Sequence, residues 1–234
     1  MGHGPPSAVW FADEPVRKPR LTRDRIAGAA VALLDAEGVE GLSMRRLAAR
    51  LGAGTMSLYE YVGSREDVLD LAVDAAVAEI ELDDDSHDPS WRDALTRQMT
   101  RSRRVMRRHP WLPALMATRP LLGPHALARS ERVYALLHRA GLDGPRLTTA
   151  VGALTYFVQG YTAAENVWRT RQRDPAAEGA LRRRTQEYLD RRAELYPTLA
   201  QHAAPSGSGG DFDASFRLGL ETVLDGIAVH TPTT

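Results

Sequence analysis

Cysteine is absent from the 234 residues. That excludes a disulfide framework, a thiolate nucleophile and any thiolate metal site. Long apolar runs are missing as well, since none approaches the ~18 residues that a membrane-spanning helix needs. The first residues lack the apolar stretch of a secretory signal. A cytoplasmic location, with no membrane partner, is the expectation by exclusion. Lysine is nearly absent: Lys18 is the single one among 30 basic residues, a bias that suits a GC-rich coding sequence and carries no functional meaning. No segment shows the alternating pattern of a strand. No Ser/His/Asp spacing, Gly-rich phosphate loop or metal cluster stands out, so no enzyme activity, catalytic residue, cofactor or metal is expected. The acidic run Asp83, Asp84, Asp85, His87 and Asp88 reads as a solvated loop.

Net charge is also lacking, with 30 basic residues against 30 acidic, but the distribution is uneven. From Arg17 to Arg65 there are nine basic and five acidic residues, whereas Glu66 to Asp85 holds nine acidic and no basic ones. A basic head on a neutral or acidic body suits a protein that touches phosphate with one end.

The chain is organised around residues 41–65, GLSMRRLAARLGAGTMSLYEYVGSR. Met44, Leu47, Ala48 and Leu51 fall at i, i+3, i+4 and i+7, one apolar stripe of a helix. Ser43 is a fitting N-cap. Gly52 stands where the chain must leave the helix through positive φ, which a residue without Cβ does freely. Leu58, Tyr61 and Val62 give the inner face of a second, shorter helix. Ala48 is small where the two helices must approach. This is the spacing of a helix-turn-helix, whose second helix presents its N-terminal residues to base edges. Thr55, Met56, Ser57 and Tyr59 take that position. Ser43, Arg45, Tyr61 and Arg65 are placed to hold the DNA backbone, with Arg45 also able to reach a guanine edge.

The residues 22–71 resemble the DNA-binding domain of the tetracycline-repressor (TetR) family. The leading helix from Thr22, the GLSMRRLAARLG core, the SLYEYV segment and the following SREDVL carry that resemblance.

The remaining chain reads as helices throughout. Residues 1–19 are rich in Gly and Pro and are expected to form a flexible arm, with Trp10 and Phe11 undocked. Its basic end (Arg17, Lys18, Arg20) is either a solvated tail or a minor-groove contact. Thr22 opens the first helix and Gly38 ends it. Ser64 with Asp67 looks like a capping box. Ser90 starts a helix whose Arg101, Arg103, Arg104, Arg107 and Arg108 are expected on a solvated or ion-paired face, with acidic partners on the preceding helix. Pro124 and Gly144–Pro145 open further helices. A polar helix follows to Tyr196, then a loop over 202–210, then a last amphipathic helix over 212–229. The expected fold is all-α, with about nine or ten helices: an arm (1–19), a helix-turn-helix domain (20–66) and a larger helical body (67–234).

The segments HPWLPALMATRPLLGPHALARSERVYALLHRAGL and VGALTYFVQGYTAAE resemble the ligand-binding body of the tetracycline-repressor branch. The resemblance implies a homodimeric repressor on a palindromic double-stranded DNA operator, released by a small-molecule effector. It places a four-helix subunit interface on the helices near 145–171 and 212–229. Gly152 and Gly160 there permit close approach, between subunits or within one. Candidate ligand contacts are Gln98, Met106, Met116, Arg119, Tyr134, Tyr156, Phe157 and Tyr161, apolar walls with few polar groups. One departure stands out. Leu115 and Met116 occupy the place of a metal-ligating His before Thr118, Arg119 and Pro120, so a magnesium–tetracycline complex held in the same way is not expected, although Glu165 matches one of that family's carboxylates. The competing reading is a helical ligand- or partner-binding protein that no longer regulates transcription.

Overall fold

The computed structural model describes residues 21–82, 90–171, 175–202 and 211–231. The basic arm, the acidic run with His87 and the 203–210 loop lie outside them. Among the described residues there are eleven α-helices and no strand. The head comprises α1 (Arg23–Gly41), α2 (Met44–Leu51) and α3 (Thr55–Tyr59), followed by α4 (Arg65–Ala78). The body adds α5 (Trp91–Arg108), α6 (Leu112–Thr118), α7 (Pro124–Arg139), α8 (Gly144–Arg171), α9 (Pro175–Asp190), α10 (Pro197–His202) and α11 (Phe212–Ala228).

Local chemistry sets the helix ends. Thr22, Ser43, Ser64 and Ser90 each accept a hydrogen bond from a first-turn N–H, of Arg25, Arg46, Asp67 and Asp93. Such side-chain caps satisfy donors that no carbonyl of the helix can reach. Gly38 (φ 70°) kinks α1 and Gly52 (φ 62°) closes α2 in the left-handed region. The expected helix to Tyr196 instead stops at Asp190. Residues 191–196 turn, and Pro197 starts the additional short helix α10.

Ile26, Ala30, Leu33 and Leu34 of α1 pack with Val68, Leu69, Ala72, Val73 and Ala76 of α4 and with Leu47, Ala48 and Leu58. Residue 66, after which the sequence expectation ends the head, lies in the first turn of α4, a helix that packs against α1 and also against α5, α6 and α7. In the body, α5, α7 and α8 pack on one another, with α6 and α11 also against α8. Polar ties join head to body. Asp35 Oδ1 of α1 accepts a hydrogen bond from Trp111 Nε1 at 2.7 Å and lies 2.7 Å from His109 Nδ1. Arg119 donates to Asp70 Oδ1 (2.6 Å), Glu66 Oε2 (2.6 Å) and the Glu66 carbonyl (2.8 Å). No described helix is long and apolar enough to cross a membrane.

Candidate nucleic-acid interface and ligand site

The geometry of α3, the third head helix, follows from one buried residue. Leu58 is fully buried with Val62 beside it, and the amides of Tyr61 and Val62 both bond its carbonyl. α3 is thus held by one apolar anchor, and its other side is left open. Met56 is 77% exposed and Tyr59 45%. Ser57 is exposed and Thr55 half-buried. Across the turn, Arg45 is exposed and has no ion-pair partner among the described residues. Its neighbour Arg46 is engaged by Glu37 and the Gly41 carbonyl.

The other predicted backbone contacts sit differently. Ser43 uses its hydroxyl to cap α2. Tyr61 is half-buried against the core, and its carbonyl accepts from Arg23 Nε at 3.3 Å. Arg65 folds inward: its guanidinium donates to the carbonyls of Leu42 (3.0 Å) and Val39 (2.7 Å). It closes the 38–43 crossing between α1 and α2, a role that no local spacing in the sequence announces. Behind it, Asp67 accepts from the Ser64 hydroxyl (2.9 Å) and the Gly63 N–H (2.7 Å). Those two bonds, the Ser64 hydroxyl first, hold the Asp67 carboxyl below its ordinary value. The bond from Arg119 does the same for Glu66.

The structure divides the eight predicted ligand contacts among four places. Gln98 and Met106 of α5 and Met116 of α6 are buried in the body, and Tyr134 of α7 is half-buried. Phe157 and Tyr161 instead join Phe216 in an aromatic cluster between α8 and α11, with ring centroids 5.4–5.7 Å apart. The Tyr161 hydroxyl donates to the Phe212 carbonyl at 2.9 Å. Arg119 lines a cleft of about 410 Å³ between head and body with Asp67, Asp70 and Leu121. Tyr156 stands 73% exposed on the outside of α8.

Four of the arginines of α5 split in two directions, while Arg104 stays exposed. Arg101 and Arg108 meet Glu81 and Glu79 near the end of α4, as the sequence suggests. Arg103 and Arg107 turn to the opposite side. Arg103 makes a two-pronged pair with the fully buried Glu165 of α8 (2.8 and 3.0 Å) and reaches Asp213 of α11 (2.8 Å). Its guanidinium also lies 4.6 Å from the Phe216 ring centroid. Glu165 is thus an internal counter-ion, shared with Arg107 and Arg169. The Arg103 bond holds the Asp213 carboxyl below its ordinary value. Among the described residues no group of three or more His, Asp or Glu is placed to hold a metal ion. Sequence reasoning missed Ser102 and Arg129, both buried between α5 and α7. The available signal was Arg129 itself, a charge on the apolar 126–129–133 stripe of α7.

Comparison with known proteins agrees with both halves of this layout. Residues 26–72 match the family model described as bacterial regulatory proteins, tetR family. Residues 85–231 match the one described as tetracyclin repressor-like, C-terminal domain. The chain is 45% identical over 227 residues to an HTH-type transcriptional regulator of Saccharopolyspora erythraea, covering 96% of this chain and 93% of that one. It is 39% identical to the HTH-type transcriptional repressor DrrR1 of Streptomyces coeruleorubidus, covering 91% of this chain and 79% of that one. Among solved structures, the TetR family protein ActR of Streptomyces coelicolor in complex with (S)-DNPA superposes with a TM-score of 0.77 at 31% identity, over 92% of this chain and 100% of that one.

Proposed function

The chain belongs to the TetR family of transcriptional regulators, and from that premise we propose that it is a homodimeric repressor that binds a palindromic operator and leaves it when the body takes up a small molecule. It is a sequence-specific DNA-binding regulator of the helix-turn-helix type, and this family consists of regulators rather than enzymes. The observation that carries the reading is the open face of α3, where Met56, Ser57 and Tyr59 stand exposed around one buried anchor, Leu58. Arg45 supplies an uncommitted charge beside it, suited to a phosphate or a guanine edge. Acting on chromosomal DNA, such a regulator works in the cytoplasm.

A palindrome follows from a two-fold dimer. Support for a seam on α8 and α11 is the exposure of Tyr156, Val167, Trp168 and Leu218. The glycines there add to it. A methyl group on Gly160 would meet nothing within 4 Å, and one on Gly152 only Tyr156 of its own helix. Among the described residues neither glycine makes a close helix approach inside one subunit, which supports a second copy against their faces. The close approach within the subunit is at Gly219, where a methyl group would stand 2.6 Å from the Phe157 ring. The solved complexes of ActR with actinorhodin and with (S)-DNPA support a small-molecule effector for the body.

Selection of bound duplexes from a random pool by the full-length protein tests the proposal. An enriched inverted repeat, bound by a dimer with affinity that falls steeply with salt, is the expected result. Enrichment of no sequence would contradict it and favour a helical binding protein without an operator.

A further inference from the structure

The seam between α5 and α7 contains an arginine with no counter-ion among the described residues. Arg129 is 5% exposed. Among the described residues its guanidinium has one partner, the Ser102 hydroxyl, at 3.3 Å from Nε and 3.1 Å from Nη2. That hydroxyl spends its proton on the Gln98 carbonyl, 2.8 Å away, so it can offer Arg129 only lone pairs. Gln98 is itself 4% exposed, and its Nε2 is buried with no hydrogen-bond partner. The other buried residues of these two helices include Met99, Val105, Met106, Val133 and Leu136. The seam thus offers hydrogen-bond donors in apolar surroundings.

This differs from the other buried arginine of the body. Arg103 is matched by Glu165 and Asp213, so its charge is neutralised within the fold. Burial alone, with no neighbouring carboxylate to oppose it, pushes the Arg129 guanidinium down to about 10, still protonated near neutral pH. An unpaired buried cation destabilises a fold, and an apolar residue of similar volume in its place is commonly neutral or stabilising. A buried amide donor left unsatisfied adds a further cost. Groups kept in a form that costs stability are characteristic of sites completed by something else.

We propose that Arg129 and the Gln98 amide are the anchor for a carboxylate of the effector, which is therefore an acidic and otherwise apolar small molecule. This rests on the ligand-responsive reading above and names the ligand's chemistry. The guanidinium provides two parallel N–H donors to a carboxylate. Gln98, one helical turn before Ser102, adds a third donor. The methionines of α5 supply adaptable apolar walls. A neutral ester of the same shape forfeits the charge-assisted bonds and leaves the cation buried.

The test titrates naphthalene-2-carboxylic acid and biphenyl-4-carboxylic acid, each beside its methyl ester, into full-length wild type and into the Arg129→Met variant, by calorimetry. The wild type is expected to bind at least one acid ten-fold or more tightly than its ester, and Arg129→Met to lose that preference. Without ligand, the variant is expected to melt at the same or a higher temperature than wild type. Esters binding as well as acids, a preference surviving in Arg129→Met, no acid binding by the wild type, or a variant that melts lower would each overturn the proposal. The selected operator separates this inference from the reading it rests on. An acid that binds through Arg129 and leaves operator affinity unchanged contradicts ligand-controlled release and keeps the anchor. A neutral molecule that releases the operator does the reverse.

Discussion

The head's α3 and the body's α5 treat their side chains in opposite ways. On α3 the chain buries one residue, Leu58, and leaves Met56, Ser57 and Tyr59 at the surface. On α5 the sequence is far more basic, yet four of the five arginines over 101–108 (Arg101, Arg103, Arg107 and Arg108) are taken up by carboxylates of the same chain, and Arg104 is exposed with no ion-pair partner among the described residues. Judged by charge alone, α5 would be the nucleic-acid surface. Judged by which groups remain uncommitted, α3 with Arg45 is. A cation already paired inside the fold has little left for a phosphate, so the unspent groups mark the interface better than the richest cluster does.

The contrast can be broken most forcefully in the body. Replacing Glu165 by Ala leaves Arg103 buried with only Asp213 beside it, and the loss of a buried partner is worth about 3–5 kcal/mol. Chemical denaturation should show a loss of that order. Leu58→Ala comes next, at about 2–5 kcal/mol for a fully buried Leu, and it should abolish operator binding because α3 loses its anchor. Arg45→Ala and Tyr59→Ala should each cost about 1–3 kcal/mol of operator affinity, with stability within about 0.5 kcal/mol of wild type. Gel-shift titration beside thermal melting checks both halves of that statement. Ser43→Ala, which removes the cap of α2, is expected to cost about 1 kcal/mol of stability.

The smallest effect is on acid stability. Glu66, Asp67 and Asp213 all titrate below their ordinary values in the folded state. A carboxyl depressed on folding stabilises the fold above its unfolded pKa and loses that contribution as the pH falls through its folded one. The melting temperature should therefore begin to fall below the ordinary glutamate value of 4.5. Arg119→Ala should make that fall shallower, because Glu66 loses the bond that depresses it.

What the sequence revealed was mostly local. Caps at Thr22, Ser43, Ser64 and Ser90, the turn at Gly52 and the stripe from Met44 to Leu51 act over a few residues, so spacing alone displays them. The all-α architecture and the helix-turn-helix followed from such signals. The partners of charged side chains did not. Arg103 and Glu165 are 62 positions apart, and Arg65 reaches carbonyls 23 and 26 positions away. Which of two acidic neighbours an arginine chooses is decided by how whole helices pack. Tyr156 and Phe157 show the same limit: adjacent in sequence, one lies outside α8 and the other inside the aromatic cluster with Phe216. α10 escaped notice because six residues that begin with a proline carry too little periodicity to distinguish a short helix from a loop.

The most direct test of the central claim is the doubly substituted Arg45→Ala/Tyr59→Ala protein, compared with wild type on the selected operator by gel shift and by thermal melting. The account predicts at least a ~100-fold loss of affinity, the sum of two contacts at about 1.4 kcal/mol or more each, with an unchanged melting temperature and dimer. Undiminished operator binding by that variant would show that the uncommitted face of the head is not the surface that reads DNA.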